Sequence, residues 1–164
     1  MQPTIIRPAP LTREDFAPFG EVVDASGVAP KHINQGFAER FDGLATVDVA
    51  TGGGVVNISI FHARPRPAPI EIRLMERHPL GSQLFVPMQD RPWLIVVCAD
   101  PLDSASYRAF EATGAQGVSY ARNVWHHPLL VFEESRFLVV DRSGPGANLE
   151  EVELEAANRL ALHL

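Results

Sequence analysis

Short apolar runs and period-two alternations of apolar and polar positions fill most of the chain, which is the spacing of strands. The pattern predicts strands over Val55 to Phe61, Ile70 to His78, Gln83 to Pro87 and Trp93 to Cys98. It continues over Tyr107 to Phe110, Val118 to Tyr120, Leu129 to Phe132 and Arg136 to Asp141. Pro, Gly, Asp or Ser occupies the breaks, as strand-ending turns require. Strands spaced by roughly ten residues with no helix between them predict an all-β sandwich or barrel with a few short helices. A parallel α/β fold would need a helix between most strands. One helix is expected near the start, where Thr12 caps, Asp15 sits in the capping-box position and Gly20 marks the stop. Phe16 and Phe19 would face the core. The Glu-, Ala- and Leu-rich tail from Leu149 to Leu164 predicts a strand around Val152 followed by a short helix.

The stretch Ile70 to His78 holds the first chemical signal. Alternation places Ile70, Ile72 and Leu74 on a core face and Glu71, Arg73 and Arg77 on a wet face. The same phase turns Glu76 and His78 inward. A buried acid and imidazole are costly unless paired, solvated or bound to metal. Two readings stay open here: a functional site, or a structural Glu–His or Glu–Arg pair at a strand end. If His78-Pro79-Leu80-Gly81-Ser82 makes the bend, Gln83 returns beside His78. The second signal is Arg122-Asn123-Val124-Trp125-His126-His127-Pro128. Adjacent histidines on extended backbone point to opposite faces, so at most one enters the same pocket. Histidine is the usual acid or base near neutral pH and a frequent metal ligand. The bland alternative is a turn held by Trp125 and Pro128.

Composition narrows the partners. The chain has 164 residues, enough for one domain spanning 1–164. Its net charge of −6 argues against a nucleic-acid surface. Lys31 is the only lysine. An arginine fork suits small carboxylates, and Arg40, Arg64 and Arg122 are the candidates to hold one, with His32 and Asn34 in a polar loop nearby in sequence. Asp141-Arg142 reads as a local ion pair. The single cysteine, Cys98, lies in an apolar run and reads as a buried hydrophobe. No stretch approaches the roughly 20 apolar residues of a membrane span, and no signal core is evident, so a cytoplasmic protein is expected. Gly-rich phosphate loops, Gly-x-Ser-x-Gly turns, Cys-x-x-Cys pairs and His-Glu-x-x-His helices are absent from the sequence.

Glu76-Arg77-His78-Pro79-Leu80-Gly81-Ser82-Gln83, with Phe85 and Pro87, resembles the signature of ureidoglycolate lyases. So do Gly114 to Val118, Arg122 to Leu129, His32-Ile33-Asn34 with Gly36, Glu39 and Arg40, and Asp141-Arg142. The resemblance implies a cupin-like β-barrel of jelly-roll type, a homodimer, and conversion of (S)-ureidoglycolate to glyoxylate and urea in allantoin and purine breakdown. It also implies a divalent metal, nickel in bacterial members, with Glu76, His78, Gln83 and His126 at the ligand positions. An amide at Gln83 departs from the usual cupin carboxylate and makes a weaker ligand. The reaction needs a base for the hydroxyl, an acid for the departing urea and a cation for the carboxylate. His126, His78 and Glu76 are the expected catalytic groups. The rival readings are an ammonia-releasing amidohydrolase and a non-catalytic module that binds a small carboxylate.

Overall fold

The computed structural model describes residues 4–164. The first strands are β1 (Thr4–Ile6), β2 (Ala9–Pro10), β3 (Gly20–Val23), β4 (Lys31–Ile33), β5 (Ala38–Arg40) and β6 (Val55–Ala63). The middle of the chain gives β7 (Glu71–Ile72), β8 (Leu74–Arg77), β9 (Gln83–Pro87), β10 (Trp93–Cys98), β11 (Arg108–Ala112) and β12 (Gly117–Tyr120). It closes with β13 (Trp125–His126), β14 (Leu130–Val131), β15 (Ser135–Ser143), β16 (Glu150–Glu153) and β17 (Leu160–Leu162). One sheet runs β16-β8-β13-β10-β11-β2, with β14 also paired to β10. The other runs β3-β12-β9-β15-β6. Together they form the expected all-β, cupin-like arrangement. A small sheet β1-β17-β7 and a separate β4-β5 hairpin complete the fold.

Strand β10 explains how the core is layered. All six of its residues are buried, so it reads as one apolar run with no polar phase. Trp93, Ile95 and Val97 enter a cluster between the large sheets, against Phe85, Val118 and Phe137. Leu94, Val96 and Cys98 enter a second cluster with Ile72, Met75 and Leu160. Each fully buried side chain of this size contributes about 1.5–3 kcal/mol of burial. Strand β10 is therefore the middle of a sheet covered on both faces. The Cys98 thiol is pushed up to about 12, by burial first and by the charge of Asp100.

Three local expectations are revised. The stretch 70–78 is two strands with a break at Arg73. The break shifts the alternation: Ile70, Ile72 and Met75 share the second cluster, while Leu74 and Glu76 take the opposite phase. Leu74 therefore does not share a face with Ile70 and Ile72. The first helix is a single turn, Arg13–Phe16, capped by the Thr12 side chain accepting from Asp15 N at 3.1 Å. It stops short because Pro18 follows within two residues and cannot continue a helix. The strand around Val152 is present, but a 3-10 turn and β17 replace the helix expected after it. Leu160 and Leu162 are drawn into the second cluster, and that burial outweighs the helix preference of Ala and Leu. Among the described residues, no helix is long and apolar enough to cross a membrane.

Candidate functional site

The site lies where the ends of β8, β9, β12 and β13 meet. Strand β8 pairs antiparallel with β13 so that Glu76 stands directly opposite His126. Residues opposite one another share a face, and the phase set at Arg73 turns that face away from Met75. On the facing sheet, β9 and β12 place Gln83 opposite Tyr120. The Tyr120 ring stacks on His126 with centroids 4.2 Å apart and planes 8° from parallel. His78 follows β8 directly, with its ring centroid 5.3 Å from that of His126.

Hydrogen bonds fix the imidazoles. His126 Nδ1 lies 3.0 Å from Val124 O, and His78 Nδ1 lies 2.8 Å from Asn148 O. A carbonyl only accepts, so each Nδ1 carries a proton and donates. His78 Nε2 is 3.0 Å from Gln83 Oε1, whose amide nitrogen donates to Asp141 Oδ2 at 3.3 Å. Asp141 also accepts from Asn57 Nδ2 at 2.9 Å. His126 is 1% exposed, and its Nε2 stands 3.4 Å from Glu76 Oε1 without a hydrogen-bond partner. That contact is within ion-pair range yet lacks hydrogen-bond geometry, so Nε2 is an orphaned polar atom. Burial opposes charge on Glu76, but the neighbouring imidazoles of His126, His78 and His127 outweigh it and hold the carboxyl below its usual range. Burial first, and then the Glu76 charge, push the Tyr120 hydroxyl well up, so it stays protonated.

One ligand atom each from Glu76, His78 and His126 lies within 4.8 Å of the others. First-row ions take such nitrogen and oxygen donors at about 2.0–2.2 Å, so this cluster suits a divalent metal. Both histidines also donate Nδ1–H to a backbone carbonyl, the outer support that metal-ligating imidazoles usually have. The donor set therefore fits a metal. Gln83 Oε1 is an adjacent, weaker oxygen donor.

The other expected residues are placed differently. His127 is buried away from the cluster, with Nδ1 donating to Pro128 O at 2.7 Å. Burial pushes its pKa down to about 4, so it is neutral. Arg122 is tied through Nη2 to Asp48 (2.8 and 2.9 Å) and Thr51 (2.6 Å). The adjoining Asn123 N donates to His78 O at 3.0 Å, which holds this turn against the site. Arg64 is exposed and 3.7 Å from Glu134. His32, Asn34 and Arg40 lie on the exposed β4–β5 hairpin, where Arg40 pairs with Asp42 at 2.6 Å. The chain alone does not bring these four residues to the cluster.

Asp141 and Arg142 do not pair with each other. Asp141 faces Gln83, whereas Arg142 donates to Thr51 O and Pro145 O, both at 2.8 Å. Adjacent strand residues face opposite ways, so the ion pair expected from sequence is replaced by two separate roles. Phase from Phe137 and Val139 was the available signal for the inward direction of Asp141. Tyr120 and Asn148 carried no comparable signal.

The Ureidoglycolate lyase family model matches residues 3–161. The chain is 55% identical over 150 residues to Ureidoglycolate lyase 1 of Rhizobium meliloti (strain 1021), covering 90% of this chain and 88% of that one. It is 51% identical over 147 residues to Ureidoglycolate lyase of Burkholderia mallei (strain NCTC 10229), covering 88% and 86%. Among solved structures, a 3,4-ketoisomerase from Helicobacter canadensis is 12% identical with a TM-score of 0.45, over 77% of this chain and 84% of that one. The family match covers both strands that carry Glu76 and His126, and with them the whole cluster: the chain belongs to the ureidoglycolate lyase family.

Proposed function

We propose that the protein cleaves the C–N bond of (S)-ureidoglycolate, giving glyoxylate and urea, as a cytoplasmic homodimer in allantoin and purine breakdown. The observation that carries the mechanism is the orphaned His126 Nε2, held 3.4 Å from Glu76. With Nδ1 protonated, Nε2 of the neutral ring is a lone pair and can take the substrate's hydroxyl proton. The proton then lies against the Glu76 carboxylate, which stabilises the imidazolium it creates. Electrons from the hydroxyl oxygen form the aldehyde of glyoxylate as the C–N bond breaks. His78 faces a carbonyl oxygen at each ring nitrogen, Asn148 O at Nδ1 and Gln83 Oε1 at Nε2, so it enters the reaction as the imidazolium and gives its Nε2 proton to the departing urea nitrogen, ending as the neutral Nδ1–H ring. Arg122, beside His78 in the fold, is the in-chain candidate to hold the carboxylate; Arg64 is the more remote one. Water is not consumed, and burial around Tyr120 and His126 favours its exclusion.

A divalent metal, nickel in this reading, would be held by Glu76, His78 and His126 with Gln83 alongside, and would supply Lewis-acid polarisation of the substrate's oxygens. A ring nitrogen that binds an ion does not also carry a proton. Chelation therefore separates the two uses of the histidines.

The test is product analysis with ureidoglycolate against a no-enzyme blank, before and after chelation. Glyoxylate and urea with little ammonia support the lyase. Ammonia release would establish the amidohydrolase instead, and no product above the blank would leave a binding module. Loss of turnover on chelation, restored by nickel, supports the ligand role.

A further inference from the structure

Strand β13 leaves β8 almost at once. Among the described residues, Glu76 and His126 are the one register pair that joins them. Pro128 has no backbone N–H and cannot extend the ladder. On the other side, β8 begins only after the break at Arg73. The two segments part beyond His126, and a cavity of about 370 Å³ opens between them. Glu71, Arg73 and Leu74 form one wall, and His127 and Pro128 another. Arg66, on the segment that joins β6 to β7, closes the rim. The volume is within the ~300–1,000 Å³ usual for small-molecule pockets.

His127 gives this cavity its chemistry. Adjacent strand residues face opposite ways, so His127 turns away from the cluster that holds His126. It is 4% exposed, and its Nδ1 donates to Pro128 O. That bond fixes the tautomer, and Nε2 of the neutral ring is a lone pair. Among the described residues Nε2 has no hydrogen-bond partner, and it is not sealed within protein as His126 Nε2 is. An imidazole more than nine-tenths buried thus presents one free acceptor to the cavity it lines. Buried polar atoms normally find partners.

The charges in the walls are unequal. Two cations, Arg66 and Arg73, and one carboxylate, Glu71, leave a net positive charge of one. Arg73 is held by Glu71 at 2.7 Å. Arg66 is exposed and, among the described residues, forms neither a salt bridge nor a side-chain hydrogen bond. It lies near enough to His127 that its charge adds to burial in keeping the ring neutral. A free guanidinium takes a carboxylate through paired donors. A lone-pair nitrogen needs the opposite, an N–H or O–H that donates to it. Sulfate brings only acceptors and would set an oxygen against that lone pair. Leu74 and the prolines supply an apolar wall for a short carbon chain.

We propose that this cavity is a second ligand site, separate from the Glu76–His126 cluster, for a small carboxylate that carries an N–H or O–H donor. The carboxylate pairs with Arg66, and the donor meets His127 Nε2. One peptide bond joins His127 to His126, so the occupant sits against the back of the strand that holds the catalytic imidazole. The site requires no step of the reaction at the cluster.

The test is titration with N-carbamoylglycine, which has a carboxylate and N–H donors and lacks the hydroxyl that the proposed cleavage uses. The readout is the histidine side-chain nitrogen spectrum of ¹⁵N-labelled protein, with the His127 signal assigned by its loss in His127→Asn. The His127 Nε2 resonance is expected to move saturably. Arg66→Ala, at an exposed position, should fold normally and bind about 10–100-fold more weakly, as for loss of one charge-assisted hydrogen bond. Its kcat/KM with ureidoglycolate should be unchanged. Glu76→Gln should keep the His127 shift, and propionate and sulfate should bind at least tenfold more weakly. A His127 signal that never saturates, equal affinity in Arg66→Ala, or loss of the shift in a folded Glu76→Gln protein would each overturn the proposal. A lowered kcat/KM in Arg66→Ala would overturn the separation of the two sites. If wild type yields no product above the blank, the lyase reading fails while the titration still judges this cavity.

Discussion

His126 Nε2 and Glu76 Oε1 face each other across paired strands at 3.4 Å, with no hydrogen bond completing the nitrogen. The arrangement is poised for a third partner, either a proton or an ion, between an aromatic wall and a charged rim. His126→Ala removes the base and should lower kcat by about 10²–10⁴-fold. Glu76→Gln, which keeps volume and loses charge, should lower kcat by at least tenfold. Steady-state kinetics beside a melting curve makes the comparison; near-normal turnover in a folded His126→Ala protein sinks the base assignment.

Gln83 positions His78 on one side and meets Asp141 on the other. Gln83→Leu should reduce turnover by about 10–100-fold, the usual effect of removing an outer-shell partner. Gln83→Glu should retain more divalent metal after dialysis against a chelator, because a carboxylate is the stronger ligand. Metal content per chain after dialysis decides this, and equal retention in both proteins argues against Gln83 standing beside the ion.

Burial holds His127 at about 4, below its ordinary 6.5. Between those values the unfolded chain takes up a proton that the folded chain refuses. The stabilising contribution is complete above about 6.5 and is lost as pH falls through 4. His127→Asn removes the titration and keeps a donor for Pro128 O. The wild-type melting temperature should fall more steeply than the variant's from pH 6.5 to 4; parallel curves would show that His127 is not the titrating group.

Met75 has no exposed surface, whereas Leu74 is only half-buried. Met75→Ala should cost about 2–5 kcal/mol, as for a large-to-small change in a packed core. Leu74→Ala should cost less. Unbroken alternation from Ile70 predicts the reverse order, so urea unfolding of the two variants tests the phase shift at Arg73 directly.

Local pattern was enough to identify most of the longer strands, in the core and at the edge. Val55 to Phe61, Gln83 to Pro87 and Trp93 to Cys98 lie within strands of the structure, because apolar alternation or a buried run is a property of the chain itself. It also pointed to Glu76, His78, Gln83 and His126, which the fold brings together. What pattern could not supply was phase across a break. Arg73 looks like any wet-face residue, yet the strand is interrupted there, and every side chain after it changes face. Nor could it show that Asp141 faces Gln83 while Arg142 turns to a loop. That depends on which strands pair, and pairing joins residues 58 positions apart, as between Gln83 and Asp141. The sequence determined the class of element, the core residues and the chemical groups available. Only the tertiary structure decided which groups meet, because long-range register is set by packing two sheets together, and no local spacing encodes it.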